Sequence, residues 1–133
     1  MTINIERLIT EDQVDIFYVG NNGNFDRMVN VTLQQLKKKY PQISHFIVLA
    51  YINGKKRYEF EEETKTIYPD GLETVPHRFA ISHRNKWMVN HSDYVIGYIR
   101  RSWGGAAQFF RMAERKGKTA INLYVINEAD VVK

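Results

Sequence analysis

Two apolar runs that end in glycine constrain this chain more than any other feature. The first is Asp15-Ile-Phe-Tyr-Val-Gly-Asn-Asn-Gly-Asn-Phe-Asp26. The second is Asp93-Tyr-Val-Ile-Gly-Tyr-Ile-Arg-Arg-Ser-Trp-Gly-Gly-Ala106. Each reads as a buried strand, apolar and β-branched or aromatic, that runs into a glycine turn and then a helix. α/β folds use this arrangement to present backbone N–H groups to an anion. Two such turns, with an arginine-bearing helix between them, point to a nucleotide or phosphosugar pocket.

The rest of the chain keeps the alternation. Residues 4–12 read as a short helix and 15–20 as a strand. A helix is expected over 25–39 with Asn24 as its N-cap. Its apolar positions Phe25, Met28, Val29, Leu33 and Leu36 recur at three and four, Lys37-Lys38-Lys39 suit its last turn, and Pro41 stops it. His45–Tyr51 reads as the second strand. Residues 52–75 read as a long, polar, irregular connection, either a lid over a ligand or an exposed loop. It contains Lys55-Lys56-Arg57, Glu61-Glu62-Glu63 and the turn Tyr68-Pro-Asp-Gly71. Pro76 precedes a helix over 78–91, and a third strand follows over 93–99. Gly104-Gly105 opens a helix with the apolar row Ala106, Phe109, Phe110 and Ala113, and Gly117 is its C-terminal stop. A fourth strand covers 119–124, and the tail 125–133 adds a short strand or helix. Helices alternating with strands predict an α/β fold with a mostly parallel sheet covered on both faces. At 133 residues this fits one domain.

Charge is unevenly distributed. Residues 1–75 carry nine Lys/Arg against eleven Asp/Glu, a net of −2, whereas residues 76–133 carry ten against four, a net of +6. A basic C-terminal half suits an anionic ligand near the second glycine turn. A long basic tract is lacking, which disfavours nucleic acid as the partner. No apolar run approaches the roughly 20 residues that span a bilayer, and no apolar leader opens the chain. A cytoplasmic protein with no membrane partner is expected. There is no cysteine, which excludes disulfides and thiolate metal sites. His45, His77, His83 and His91 show no i, i+4 metal spacing, so neither metal nor cofactor is expected.

Several residues are candidates for the pocket. Arg84 shares a helix row with Ala80 and Met88, so it points towards the sheet, where a guanidinium needs an acidic partner or an anionic ligand. Gly20, Asn21 and Gly23 form the first turn, where backbone approaches a ligand closely, or which simply needs glycine geometry. Asp26 lies in the first turn of its helix, as a dipole and capping partner or as a ribose-hydroxyl contact. Ser102, Gly104 and Gly105 resemble a phosphate nest at a helix N-terminus, or a tight packing turn. Trp103, beside that turn, is a better stacking candidate than Trp87.

Phe17–Asp26, Arg84-Asn-Lys-Trp-Met88, Ser92-Asp-Tyr-Val-Ile96 and Trp103-Gly-Gly-Ala106 together resemble the SLOG superfamily. Its name joins the Smf/DNA-processing proteins and the Lonely Guy family. The likeness runs over about residues 7–124 and is closest to small uncharacterised bacterial SLOG-domain proteins. It implies a Rossmann-like three-layer fold and a nucleotide or nucleotide-derived ligand. Lonely Guy enzymes are phosphoribohydrolases that cleave the N-glycosidic bond of nucleoside 5′-monophosphates. They use an Arg-Lys-x-x-Met helix and a Pro-Gly-Gly-x-Gly-Thr-x-x-Glu turn. By this resemblance Arg84 and Met88 take the helix positions, and Gly104 and Gly105 take the first two glycines of the turn. The Gly-Thr pair becomes Ala107-Gln108. The catalytic glutamate falls at Arg111, and the helix has no acid before Glu114.

That departure removes the carboxylate which bond cleavage needs and retains anion binding. The expected function is therefore a sensor or sequestering module for a nucleotide or nucleotide-derived small molecule. The alternatives are a phosphoribohydrolase using Asp26 or Glu114, and a nucleic-acid-binding protein. Relatives begin with a central strand for which Met1–Ile5 is too short. The fold is thus expected to lack the usual first strand, and a homo-oligomer is expected to fill the gap.

Overall fold

The computed structural model describes residues 1–51 and 65–124. The expected lid or exposed loop with its Lys55 and Glu61 charge runs falls largely on residues 52–64, outside the described residues, as does the tail 125–133. The chain divides into two compact units, Met1–Met88 and Val89–Lys133.

The first unit opens with α1 (Thr2–Thr10), which buries Ile5, Leu8 and Ile9 along one face. Gln13 adopts a left-handed conformation, φ +56°, as the chain turns towards the first strand. Val14 N–H donates to the Leu8 carbonyl at 3.0 Å and closes the turn. Then follow β1 (Ile16–Val19), α2 (Asn24–Lys39), β2 (Ser44–Val48) and β3 (Lys65–Ile67). The strands lie in the order β1-β2-β3, and both pairs are parallel. Ile16 stands opposite Ser44, and Phe46 opposite Lys65.

β3 corrects the expectation of an irregular segment through residue 75. Lys65-Thr-Ile67 has too little apolar character to announce a strand. It forms one because the open edge of β2 supplies partners, with Leu49 N–H donating to the Ile67 carbonyl at 2.8 Å. A second correction concerns the start of α2. Gly23, with extended backbone, is the N-cap, and Asn24 is the first helical residue. The Asp26 carboxylate reaches back to the Asn22 N–H at 3.1 Å, a capping function that makes an Asn24 cap unnecessary.

α2 buries Asn30, Leu33 and Leu36. Its C-terminal end is fastened to α1, since Lys39 Nζ and Tyr40 Oη both donate to Glu6 Oε2, at 2.9 and 2.8 Å. The Lys39 bond, followed by the Tyr40 bond, holds the Glu6 carboxyl below its ordinary pKa. Ile43, Ile47 and Val48 are buried around β2. After 3₁₀ turns at Leu72–Thr74 and His77–Phe79, α3 runs over Ala80–Asn90. The expected helix start at 78 is thus a 3₁₀ turn. A small apolar cluster of Ala50, Leu72 and Ala80, with Tyr51, Tyr68 and Val75 against it, fixes this connection. Tyr51 also stacks on His77 at 4.3 Å.

The second unit contains β4 (Tyr94–Gly97) and β5 (Thr119–Asn122), a parallel pair with Tyr94 opposite Thr119. α4 (Gly105–Arg115) packs on both strands. Val89, Val95 and Ala113 form the core, with Phe109 and Met112 against it. Gly117, φ +76°, ends α4. Its N–H donates to the Glu114 carbonyl, and Lys118 N–H donates to the Ala113 carbonyl, which is the Schellman pattern.

The fold is α/β, and every described strand pair is parallel, as the alternation predicts. The pairs form two ladders of three and two strands, where the sequence reading expected one sheet. No described strand joins the ladders by backbone pairing. Among the described residues, no helix is long and apolar enough to cross a membrane.

Candidate functional site

The candidate site in the first unit lies at the carboxyl ends of β1 and β2. Gly20 directly follows β1, Val48 ends β2, and Arg84 comes from α3. The Arg84 row holds as expected: Ala80 and Arg84 are each 3% exposed. Arg84 Nη1 donates to the Asn22 side-chain oxygen and to the Val48 carbonyl, both at 3.0 Å. Arg84 Nε donates to Asn85 Oδ1 at 2.9 Å. Burying a guanidinium is costly unless its donors are satisfied, and these oxygens occupy its Nε and Nη1 donors.

Gly20 is required by close approach. A Cβ there would stand 2.7 Å from Arg84 Nη1, 2.7 Å from Asp26 Oδ2 and 2.9 Å from the guanidinium carbon. The absent side chain lets a cation and a carboxylate close on the same point of backbone. Asp26 holds the loop by accepting from Asn22 N–H, and Asn22 in turn accepts from Arg84. Gly20, Asp26 and Arg84 therefore converge, with Asn22 linking them. Asn21 is half-buried and Gly23 is exposed at the N-cap of α2. Neither contributes a side chain to these bonds.

A buried relay supports the loop from below. Asn30 Nδ2 donates to the Gly20 carbonyl at 3.4 Å, and Asn30 Oδ1 lies 2.6 Å from His45 Nε2. The carbonyl of Gly20 orients the amide, so His45 Nε2 carries the proton and donates. Burial, and secondly the charge of Lys37, push the His45 pKa down to about 4. The ring is therefore neutral near pH 7. Among the described residues, no group of three or more His, Asp or Glu converges as a metal site would require.

The other expected residues, Ser102, Trp103, Gly104 and Gly105, lie in the second unit at the start of α4. Gly104 is the N-cap with φ +97°, a backbone conformation that only glycine adopts easily, and the helix start has no side-chain cap. Arg111 Nη1 donates to the Ser102 carbonyl at 2.7 Å, which pins the loop from within the helix. Trp103 is 65% exposed. Trp87 is half-buried and packs edge-on against Tyr18 at 5.1 Å, a packing role.

The sequence reading missed Asn22, Asn30, His45 and Asn85. Two of them carried a signal. Asn30 interrupts the buried row that continues through Leu33, and His45 occupies the alternate inward position between Ile43 and Ile47. A polar residue on a buried row has to find a polar partner. Asn22 carried none, because only the fold brings it within reach of Arg84, 62 residues away, and Asn85 carried none, because a bond between chain neighbours leaves no spacing pattern.

In comparisons with protein-family models, curated proteins and solved structures, nothing matches this chain.

Proposed function

We propose that the Gly20–Asp26–Arg84 cluster binds an anionic, nucleotide-derived small molecule, and that the protein acts as a sensor or sequestering module of the SLOG type. The observation that carries this reading is the buried Arg84 guanidinium pressed against side-chain-free backbone at the ends of two parallel strands. Ligands of open α/β sheets bind at that end. Arg84 supplies the charge that a phosphate seeks, the α2 N-terminus adds its dipole, and Asp26 offers an acceptor for a sugar hydroxyl. The α/β arrangement fits a Rossmann-like class. Binding is favoured over hydrolysis by Arg111, which stands where the resemblance places a catalytic glutamate and spends a donor on the Ser102 carbonyl.

Thermal shift against nucleoside mono-, di- and cyclic phosphates, NAD derivatives and ribose 5-phosphate tests the reading. A ligand at a hundred times its Kd stabilises the native state by about 2.7 kcal/mol. For a chain of this size that raises Tm by roughly 10 °C. Arg84→Lys keeps the charge but loses the planar fork, and it should weaken the response. No shift with any of these compounds, in protein that unfolds cooperatively, would overturn the proposal. Release of free base and ribose 5-phosphate would favour the hydrolase instead.

A further inference from the structure

We infer that the strand-end loops of the second unit form a base-stacking platform for single-stranded nucleic acid. The loop after β4 carries Tyr98, Arg100, Arg101 and Trp103, and the loop after β5 carries Tyr124. Tyr98 is 48% and Trp103 65% exposed, large aromatic surface that the fold leaves open to water. Tyr98 meets Tyr124 edge-to-face at 5.5 Å and 80°. The Arg100 guanidinium lies 5.7 Å from the Tyr124 ring, and that of Arg101 4.8 Å from the Trp103 ring. Tyr124 and Trp103 thus each have a cation beside the ring. From Tyr94 through Ala113 the chain contains no Asp or Glu.

The platform is built, not merely exposed. Asn122, the last residue of β5, acts as a peptide surrogate between the loops. Its Nδ2 donates to the Ile99 carbonyl at 3.0 Å, and its Oδ1 accepts from Ile99 N–H at 2.9 Å and from Tyr124 N–H at 3.0 Å. One side chain therefore fixes the two backbone segments that bear Tyr98, Arg100 and Tyr124. On the other side, Arg111 pins the Ser102 carbonyl beside Trp103. Loops that lie beyond the reach of the β-ladder are held by side chains.

Charge and shape select the occupant. Arginines interleaved with aromatic faces match a strand of phosphates interleaved with bases. An acidic protein surface would satisfy the arginines and leave the rings without partners. A duplex would satisfy the arginines too, but its base faces are already stacked on one another. Single-stranded nucleic acid uses both sets of groups.

The test is fluorescence anisotropy with labelled oligo-dT and oligo-rU of about 15 nucleotides, and a duplex of equal length, against the full chain. Single strands should bind at least about ten-fold more tightly than the duplex. Three phosphate contacts, from Arg100, Arg101 and Arg111, predict a log–log salt slope of about −2. Trp103→Ala should lose about ten-fold in affinity and Trp103→Phe should recover most of it, because the face and not the indole N–H does the stacking. In a Trp87→Phe background, oligonucleotide should quench the fluorescence of Trp103. Absence of binding at low salt by folded protein would overturn the inference. So would duplex binding equal to single-strand binding, or Trp103→Ala binding as tightly as the wild type.

Discussion

His45 should make this protein lose stability as pH falls from 6.5 towards 4. The ring is only 5% exposed and its pKa is pushed from 6.5 down to about 4, first by burial and then by Lys37. In the unfolded chain it takes up a proton near 6.5, whereas in the native state it resists until about pH 4. Between those values the unfolded state binds more protons, so stability falls with pH across the window. The contribution is complete above pH 6.5 and falls no further below pH 4. At 1.36 kcal/mol for each tenfold change in proton affinity, the interval is worth about 3 kcal/mol. That is an upper limit, because the protonated ring still donates from Nε2 to Asn30. Set against a typical domain stability of about 5–15 kcal/mol, the effect is large. Urea unfolding followed by far-UV circular dichroism, repeated from pH 7.5 to 3.5 on wild type and His45→Gln, isolates it. Glutamine keeps a donor towards Asn30 and cannot titrate. Carboxylates contribute alike to both proteins and cancel in the difference. The wild-type free energy should fall by up to about 3 kcal/mol more than that of the variant. Parallel curves would refute the reasoning, as would a His45 ring proton whose NMR titration midpoint lies near 6.5.

Gly20→Ala would force a Cβ against Arg84 and Asp26, and overpacking of that kind costs about 1–3 kcal/mol; in an Arg84→Ala background the penalty measured by urea unfolding should shrink. Leu33→Ala removes a side chain with no exposed surface and should cost about 2–5 kcal/mol by the same assay. Gly104→Ala places a side chain at φ +97° and should destabilise by about 1 kcal/mol or more, read as a lower Tm. Asn122→Ala frees groups that water can reach, so stability should change by less than about 1 kcal/mol, while the near-UV dichroism of the Tyr98–Tyr124 pair falls.

The parts of the fold that rest on local chemistry were legible in the sequence. Gly117 had to end a helix, Leu33 and Leu36 had to face inward, and the apolar runs ending at Gly20 and Gly97 had to be strands. β3 was not legible, because Lys65-Thr-Ile67 becomes a strand only when β2 offers it an edge. The N-cap of α2 was misplaced by one residue because Asp26 competes for the capping function, and side-chain reach is not visible in a string of letters. For the candidate site, helical spacing was enough to turn Arg84 inward and glycine type was enough to mark Gly20. The partners of Arg84 were hidden, since Asn22 is 62 residues away and Val48 contributes only a carbonyl.

The hidden residues share a chemical logic. Parallel strands stop where their ladders stop, and the peptide groups just beyond them still need partners. Here side-chain amides repeatedly serve. Asn30 holds the carbonyl of Gly20, and Asn122 pairs with both peptide groups of Ile99. An amide carries a donor and an acceptor, as a peptide does, so it extends the ladder by one rung without requiring another strand. A water molecule could satisfy the same groups, but it would leave the loop free to choose among conformations. A side chain anchored in a helix or strand fixes one. Loops that present charge and aromatic faces need that fixity, since a displacement of about 1 Å already degrades a recognition site. The asparagines thus order loops at the carboxyl ends of short parallel ladders in both units.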